Sequence, residues 1–284
     1  MPSTLDSILA ATRQRLSQRR RSADLRALER AAAEHQPRGF RKQIERVSGN
    51  SIAIIAELKK ASPSKGLIRA DFNPAQLARE LEHAGAAALS VLTDEPFFQG
   101  SLENLRQASE ATSLPCLRKD FIVDESQIVE ARANRADAIL LIVAALNQTE
   151  LASLAGRARA QGLDVLFEAH DATELQRAID AGCEIIGINN RDLRSFKVSL
   201  ETAEALAAKI PDGCLAVAES GIHSGADLQR LKGAGYEAFL IGESLMKADR
   251  PGEALSKLVQ EAQQDVAAIS KDEGFSSKLE AHSS

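Results

Sequence analysis

From Ser51 onward the chain repeats one pattern eight times. A short apolar, β-branched run is followed by a polar turn, then by an amphipathic stretch, then by a small-residue, glycine or proline stop. The apolar runs fall at 52–58, 87–92, 115–119, 138–143, 164–168, 184–188, 214–218 and 238–241. Helical periodicity occupies 74–84, 101–111, 125–135, 148–161, 172–181, 199–209, 224–234 and 251–265. Runs such as Ile52-Ala53-Ile54-Ile55 are apolar at every position, so both faces of these strands are buried. Continuous apolar strands alternating with helices imply a parallel sheet covered by helices. Eight cycles fit a closed (β/α)8 barrel better than an open doubly wound sheet. The cycles share no sequence, which excludes a solenoid. A length of 284 residues would suit two average domains, but an α/β barrel of about 250 residues is one.

The expected organisation is a helical extension over 1–46, a catalytic barrel over 47–268 and a flexible tail over 269–284. In the extension, Leu5, Ile8, Leu9, Leu16, Leu25 and Leu28 recur near helical spacing, Thr4 is placed to cap, and Pro37 and Gly39 end the run. The longest apolar run, Ala138 to Leu146, is far short of the roughly 20 residues of a membrane helix. The N-terminus lacks a secretory h-region, and three cysteines (Cys116, Cys183, Cys214) form no C-x-x-C pair; both point to the cytoplasm. Charge is unevenly spread. Residues 1–46 hold eleven Lys and Arg against five Asp and Glu, a net of +6, whereas the whole chain carries −5. The rest therefore carries −11, and the basic segment is expected to dock on the protein's own acidic body. Binding to nucleic acid through Arg19-Arg20-Arg21 is the competing reading of that segment.

In a barrel of this kind, active sites lie at the C-terminal ends of the strands. Those ends read Ala56-Glu57-Leu58-Lys59, Leu117-Arg118-Lys119-Asp120-Phe121, Leu166-Phe167-Glu168-Ala169-His170, Ile188-Asn189-Asn190-Arg191, Ala218-Glu219-Ser220-Gly221 and Ile241-Gly242-Glu243-Ser244. Glu57 and Lys59 are two apart and share a strand face, as do Lys119 and Phe121. Several acidic and basic groups aimed at one mouth shift one another's pKa values, the condition for acid–base chemistry near neutral pH. Small residues after strands seven and eight suit a phosphate group held by backbone N–H groups. The five histidines make no ligand-spaced pair, so no metal is expected; His170 and His223, near strand ends, read as loop residues or as residues that support the site from behind. With no G-x-G-x-x-G and no Walker motif, no nucleotide cofactor is expected.

At these positions the chain resembles the indole-3-glycerol phosphate synthase family. The matching stretches are AELKKASPSKG (56–66), SVLTDEPFFQGS (90–101), LRKDFIVDESQI (117–128), LLIVAAL (140–146), LFEAHD (166–171), GINNRDLRSF (187–196), AESGI (218–222) and LIGESLM (240–246). The resemblance implies conversion of 1-(2-carboxyphenylamino)-1-deoxyribulose 5-phosphate to indole-3-glycerol phosphate with loss of carbon dioxide and water, and no cofactor. It implies that Lys119 protonates the carbonyl, that Lys59 contacts the substrate anion and assists dehydration, and that Glu57 and Glu168 move the remaining protons. Asn189 and Arg191 would hydrogen-bond the substrate, Glu219 would be a further catalytic carboxylate, and Ser62 would contact substrate from the first loop. Phe98, Phe121, Leu140 and Leu193 would pack on the ring. Ser220, Gly221, Gly242, Ser244 and the backbone N–H of Glu243 would hold phosphate. The loop Ser62–Gly66 is expected to close over substrate. The partner implied is a small phosphorylated molecule. A monomer is expected, with a weak homodimer as the alternative. Other phosphosugar barrels, such as phosphoribosylanthranilate isomerase or the tryptophan synthase α-subunit, share the phosphate loops but not the AELKKASPSKG and LRKDF pair.

Overall fold

The computed structural model describes residues 4–19, 25–192 and 197–264. Eight parallel strands close into a barrel: β1 (Ala53–Leu58), β2 (Ala88–Leu92), β3 (Cys116–Lys119), β4 (Ala138–Ile142), β5 (Asp164–Ala169), β6 (Ile185–Asn189), β7 (Leu215–Glu219) and β8 (Ala238–Ile241). Each pairs with the next in sequence, and β1 closes the ring by pairing with β8. Every strand boundary lies within one residue of the run read from the sequence. The reason is physical: with helices outside and side chains inside, each strand is buried on both faces, and the apolar run is the strand.

The intervening helices start where polar side chains cap them. Asn73, Ser101, Asp124, Asn147, Asp171 and Ser224 each accept a hydrogen bond from a backbone N–H of the helix that follows. Several end at a glycine with positive φ, including Gly85, Gly162, Gly182 and Gly235. Among the described residues no helix is long and apolar enough to cross a membrane.

The extension is three helices, α1 (Thr4–Arg19), α2 (Leu25–Glu34) and α3 (Phe40–Ser48), and it spans the barrel from end to end. The sequence reading ended the helical run at Pro37 and Gly39, but a helix resumes at once after them. Gly39 takes φ 77°, and the turn it makes drives Phe40 and Ile44 into the core, both fully buried. Here α3 sits at the N-terminal end of the strands. Asp137, just ahead of β4, is fully buried and accepts from Arg38 Nη2 (2.6 Å) and Nε (3.0 Å), from the Arg38 and Cys116 backbone N–H groups (both 2.7 Å), and lies 3.1 Å from His35 Nε2. Arg41 bonds Glu184 at 2.9 Å, and its backbone N–H donates to Asp164. At the opposite end, Arg15 of α1 pairs with Asp94 at 2.8 Å, and Ile8 is buried. The basic extension thus meets barrel acids at both ends. The Arg20-Arg21 portion of the arginine run, the side chains of Thr4 and Arg19, Leu193 and the 269–284 tail lie outside the described residues.

Candidate active site

The barrel mouth is built from the last inward-facing residues of alternate strands. Glu57, near the end of β1, is buried, and Lys59 follows it on the same side, Nζ 2.6 Å from Glu57 Oε1. Ser90, paired with Glu57 across the β1–β2 register, donates to its second oxygen at 3.4 Å. Lys119 ends β3. Its Nζ lies 2.6 Å from Glu168 Oε2 of β5 and 3.4 Å from Glu219 Oε2 of β7. Asn189 ends β6 opposite Glu219 in the register, hydrogen-bonds Glu168, and accepts from the Arg191 backbone N–H at 3.0 Å.

Alternation along β3 explains how Lys119 is held. If Lys119 points inward, Arg118 must point outward, and it does so in a buried polar cluster. Its guanidinium reaches Asp120 (3.0 Å), Glu130 (2.9 Å) and the Gln127 carbonyl (2.8 Å), while Thr93 donates to Asp120 at 2.5 Å. That cluster ties the residues on both sides of Lys119 to the helix behind.

Two glycines leave room for the carboxylates. A Cβ on Gly187 of β6 would lie 2.0 Å from Glu219 Oε1, and one on Gly242 would lie 2.5 Å from Glu57 Oε1. Glu219 Oε1 is buried and has no hydrogen-bond partner among the described residues.

The charge states follow from these contacts. Burial works against the Lys119 ammonium, but Glu168, Glu219 and Glu57 outweigh it and hold its pKa above the ordinary lysine value. Burial also works to raise Glu168, yet the charges of Lys119 and His170, with hydrogen bonds from Lys119 and Asn189, hold it down to about 2. Glu219 goes the other way. Burial raises it, Lys119 opposes, and the neighbouring Glu168 and Glu57 carboxylates bring it up to about 8. The mouth therefore holds an ionised carboxylate and a protonated one side by side at neutral pH, a base and an acid.

One wall is apolar. Phe98 and Phe121 stand with ring centroids 6.2 Å apart, and Leu140 lies beside them at the cavity floor. Leu5 and Ile8 of α1 complete this wall from the extension, which the sequence did not reveal because those residues are distant in the chain. Above the mouth, the first loop is a hairpin, Ala61–Ser62 against Gly66–Leu67, rather than an irregular segment. Ser62 Oγ is buried there without a partner among the described residues, and Ser62 lines the cavity.

On the other side, Ser220, Gly221, Gly242 and Ser244 line a polar cleft continuous with the mouth. Ser220 takes φ 66° and Gly221 φ 81°, so the loop after β7 turns through two left-handed residues. Asn190 braces it, donating to the Ser220 carbonyl at 3.1 Å. A Cβ on Gly221 would lie 2.5 Å from Val198, so the loop closes over that residue. Glu243 differs from the sequence expectation, which rested on its backbone alone. Its carboxylate bridges Lys247 (2.7 Å), Arg191 (3.4 Å) and Lys65 (4.0 Å), and those cations hold its pKa below the ordinary range against the effect of burial. Lys65, which sequence reasoning passed over, reaches the cleft because the hairpin folds back over it. Its place in an otherwise small and polar loop was the available signal. Leu193 lies outside the described residues.

A family model described as "Indole-3-glycerol phosphate synthase" matches residues 5–277. A curated relative from Koribacter versatilis (strain Ellin345), of the same description, is 58% identical over 259 residues, 91% of this chain and 100% of its own length. Among solved structures, a thiamine phosphate pyrophosphorylase from Pyrococcus furiosus superposes with a TM-score of 0.57 at 15% identity, over 76% of this chain and 97% of that one. A mandelate oxidase does so with a TM-score of 0.57 at 20% identity, over 75% and 72%. These two likenesses speak to the barrel alone.

Proposed function

The chain belongs to the indole-3-glycerol phosphate synthase family, and we propose that the charged ring at its barrel mouth carries the reaction as follows. The enzyme is a carboxy-lyase of tryptophan biosynthesis. It converts 1-(2-carboxyphenylamino)-1-deoxyribulose 5-phosphate to indole-3-glycerol phosphate, carbon dioxide and water.

The substrate's anilino ring packs on Phe98, Phe121 and Leu140, the apolar side of the cavity. Its phosphate goes to the polar side, to the backbone around Ser220, Gly221, Gly242, Glu243 and Ser244 and to Arg191. This polarity fixes the direction in which the chain of carbons crosses the mouth, and it lays the ribulose carbonyl beside Lys119. As the electron-rich ring carbon attacks the carbonyl, negative charge builds on oxygen. An alkoxide is a stronger base than an amine, so Lys119 gives up its proton even though its carboxylate partners hold it tightly. Loss of the carboxylate as carbon dioxide restores the aromatic ring and needs no proton. Departure of the hydroxyl as water needs an acid, supplied from Lys59 or the protonated Glu219. Removal of the C–H proton that completes the indole needs a base, and the candidates are the ionised Glu168 and the Glu57 side chain beside Lys59. The hairpin carrying Ser62 closes over the substrate and excludes water.

The single observation that carries this reading is Lys119 held between Glu168 and Glu219 at the junction of the apolar wall and the polar cleft. Lys119→Ala tests it. We expect kcat to fall by about 10²-fold or more, the usual scale for loss of a general acid, in a protein that still unfolds cooperatively, though at a lower temperature because Glu168 and Glu219 lose their cation. A variant that turns over at the parental rate removes Lys119 from the chemistry.

A further inference from the structure

The reaction has a proton balance that the mouth cannot meet from its own groups. Carbonyl protonation takes up one proton and hydroxyl departure a second, while C–H removal returns one. Each turnover therefore consumes one proton net, because the substrate's carboxylate leaves as neutral carbon dioxide. Lys119, Glu168 and Glu219 are all nearly enclosed, so the missing proton must reach them from outside between turnovers.

Behind Glu168, on the side away from Lys119, lies His170. Its Nδ1 is 2.9 Å from Glu174 Oε2, and Glu174 also accepts from the His170 backbone N–H at 2.8 Å. Its Nε2 is buried with no hydrogen-bond partner among the described residues and lies 3.5 Å from Glu168 Oε1. Glu168 thus has a different cationic neighbour for each oxygen: Lys119 on Oε2, the imidazole on Oε1. The imidazole edge is 12% exposed and Glu174 17% exposed, so the row Glu168, His170, Glu174 runs from the enclosed mouth to solvent. His170 does not line the cavity, which leaves it free of direct contact with substrate.

We propose that His170 is a positioning residue that acts through Glu168, orienting its carboxylate and relaying through it to Lys119 the proton that each turnover consumes. The step moves one proton from His170 Nε2 to Glu168 Oε1, and the carboxyl then gives a proton to the neutral Lys119 Nζ left by carbonyl protonation, so Glu168 ends ionised as it began, while the C–H proton goes to Glu57 and back to Lys59. The imidazole is left neutral with its remaining N–H on Nδ1, bonded to Glu174, and no electron changes hands. The vacated Nε2 is buried in the resting ring, so it regains its proton from solvent when the side chain, 12% exposed, swings outward. The 3.5 Å gap closes to a hydrogen bond with a small rotation of the ring, as such contacts do once substrate is bound.

The charged groups facing the ring are Glu168 from β5, Glu174 from the helix that follows it (Ala172–Asp180) and Glu219 from β7, with Lys119 of β3 beyond Glu168. Burial alone would discharge the imidazole, but the Glu174 hydrogen bond and the charges of Glu168, Glu174 and Glu219 hold its pKa above the ordinary histidine value.

This inference rests on the reading of Glu168 given above, and the experiment separates the two. The pH dependence of kcat is measured for the parent, His170→Gln, Glu174→Gln and Glu168→Gln, with melting temperatures as a check on folding. In the parent, kcat falls as pH rises through the His170 pKa. Glu174→Gln removes the anion on Nδ1 and should shift that limb to lower pH. His170→Gln keeps a donor for Glu168 but cannot titrate; it should lower kcat at pH 7 by about tenfold, change KM by less than about twofold, and abolish the limb that Glu174→Gln moves. A merely structural histidine predicts a lowered kcat with the limb in place. Limbs unchanged in both variants overturn the proposal. Full activity in Glu168→Gln overturns instead the role of Glu168 itself.

Discussion

Gly187 offers a test of the site that touches no charged residue. An added Cβ would stand 2.0 Å from Glu219 Oε1 and 3.3 Å from Leu166 Cδ1. Ordinary contact begins near 3.4 Å, so in Gly187→Ala the carboxylate oxygen must retreat by about 1.4 Å. Glu219 cannot do so and keep its 3.4 Å contact with Lys119. The backbone itself accepts alanine, because Gly187 lies in a regular strand without positive φ. The stability cost is therefore limited: overpacking costs about 1–3 kcal/mol, and about 0.4–1 kcal/mol returns from the less flexible unfolded chain. The catalytic cost is larger, since a displacement of about 1 Å in a reacting constellation is worth about 10²-fold in rate. We therefore expect kcat to fall by about two orders of magnitude while the urea midpoint shifts only modestly. Fluorescence-detected turnover and equilibrium unfolding measure the two. The double variant Gly187→Ala with Glu219→Gln should be no slower than Glu219→Gln alone, because both act on one carboxylate. Parental turnover in Gly187→Ala, or losses that multiply in the double variant, would refute the reasoning.

Other outcomes follow from the same geometry. Glu243→Gln removes the carboxylate that occupies Arg191 and Lys65, so inorganic phosphate should inhibit competitively with a Ki lower by about two- to fivefold, the scale of a partly exposed ion pair; a weaker or unchanged Ki contradicts that competition. Glu219 is raised from 4.5 to about 8, so the folded protein binds more protons than the unfolded chain across that interval, and stability falls as pH rises through it. Melting of the parent and Glu219→Gln at pH 5 and pH 8 should show this slope flattened in the variant. Asp137→Ala leaves the Arg38 guanidinium and the Cys116 N–H without their buried acceptor, and urea unfolding should register a loss of about 3–5 kcal/mol.

Most of the barrel was legible because its signals are local. A strand buried on both faces is an apolar run, and a cap is one polar residue, so both can be read without knowing what lies across the fold. The same locality explains Glu57 with Lys59, and Lys119 with Phe121, whose shared faces follow from spacing of two. What stayed hidden depends on register or on distant segments. Gly187 reads as a strand glycine until β6 is set beside β7 and the Glu219 carboxylate fills its place. Glu243 was read through its backbone because the cations that reach its side chain come from the loop after β6, the first hairpin and its own helix. The α3 helix was missed because Pro37 and Gly39 are helix breakers, and nothing local says that a second helix begins directly after them. For His170 the sequence left a loop residue and a support behind the site undecided, since its meaning lies in the enclosed carboxylate on one side and the exposed one on the other.

The most direct measurement supplies purified protein with 1-(2-carboxyphenylamino)-1-deoxyribulose 5-phosphate, with no metal or organic cofactor added, and follows indole fluorescence together with released carbon dioxide. The account predicts indole-3-glycerol phosphate and carbon dioxide in equal amounts, with one proton taken up per turnover. Folded protein that yields no indole product, or carbon dioxide without it, would contradict the account.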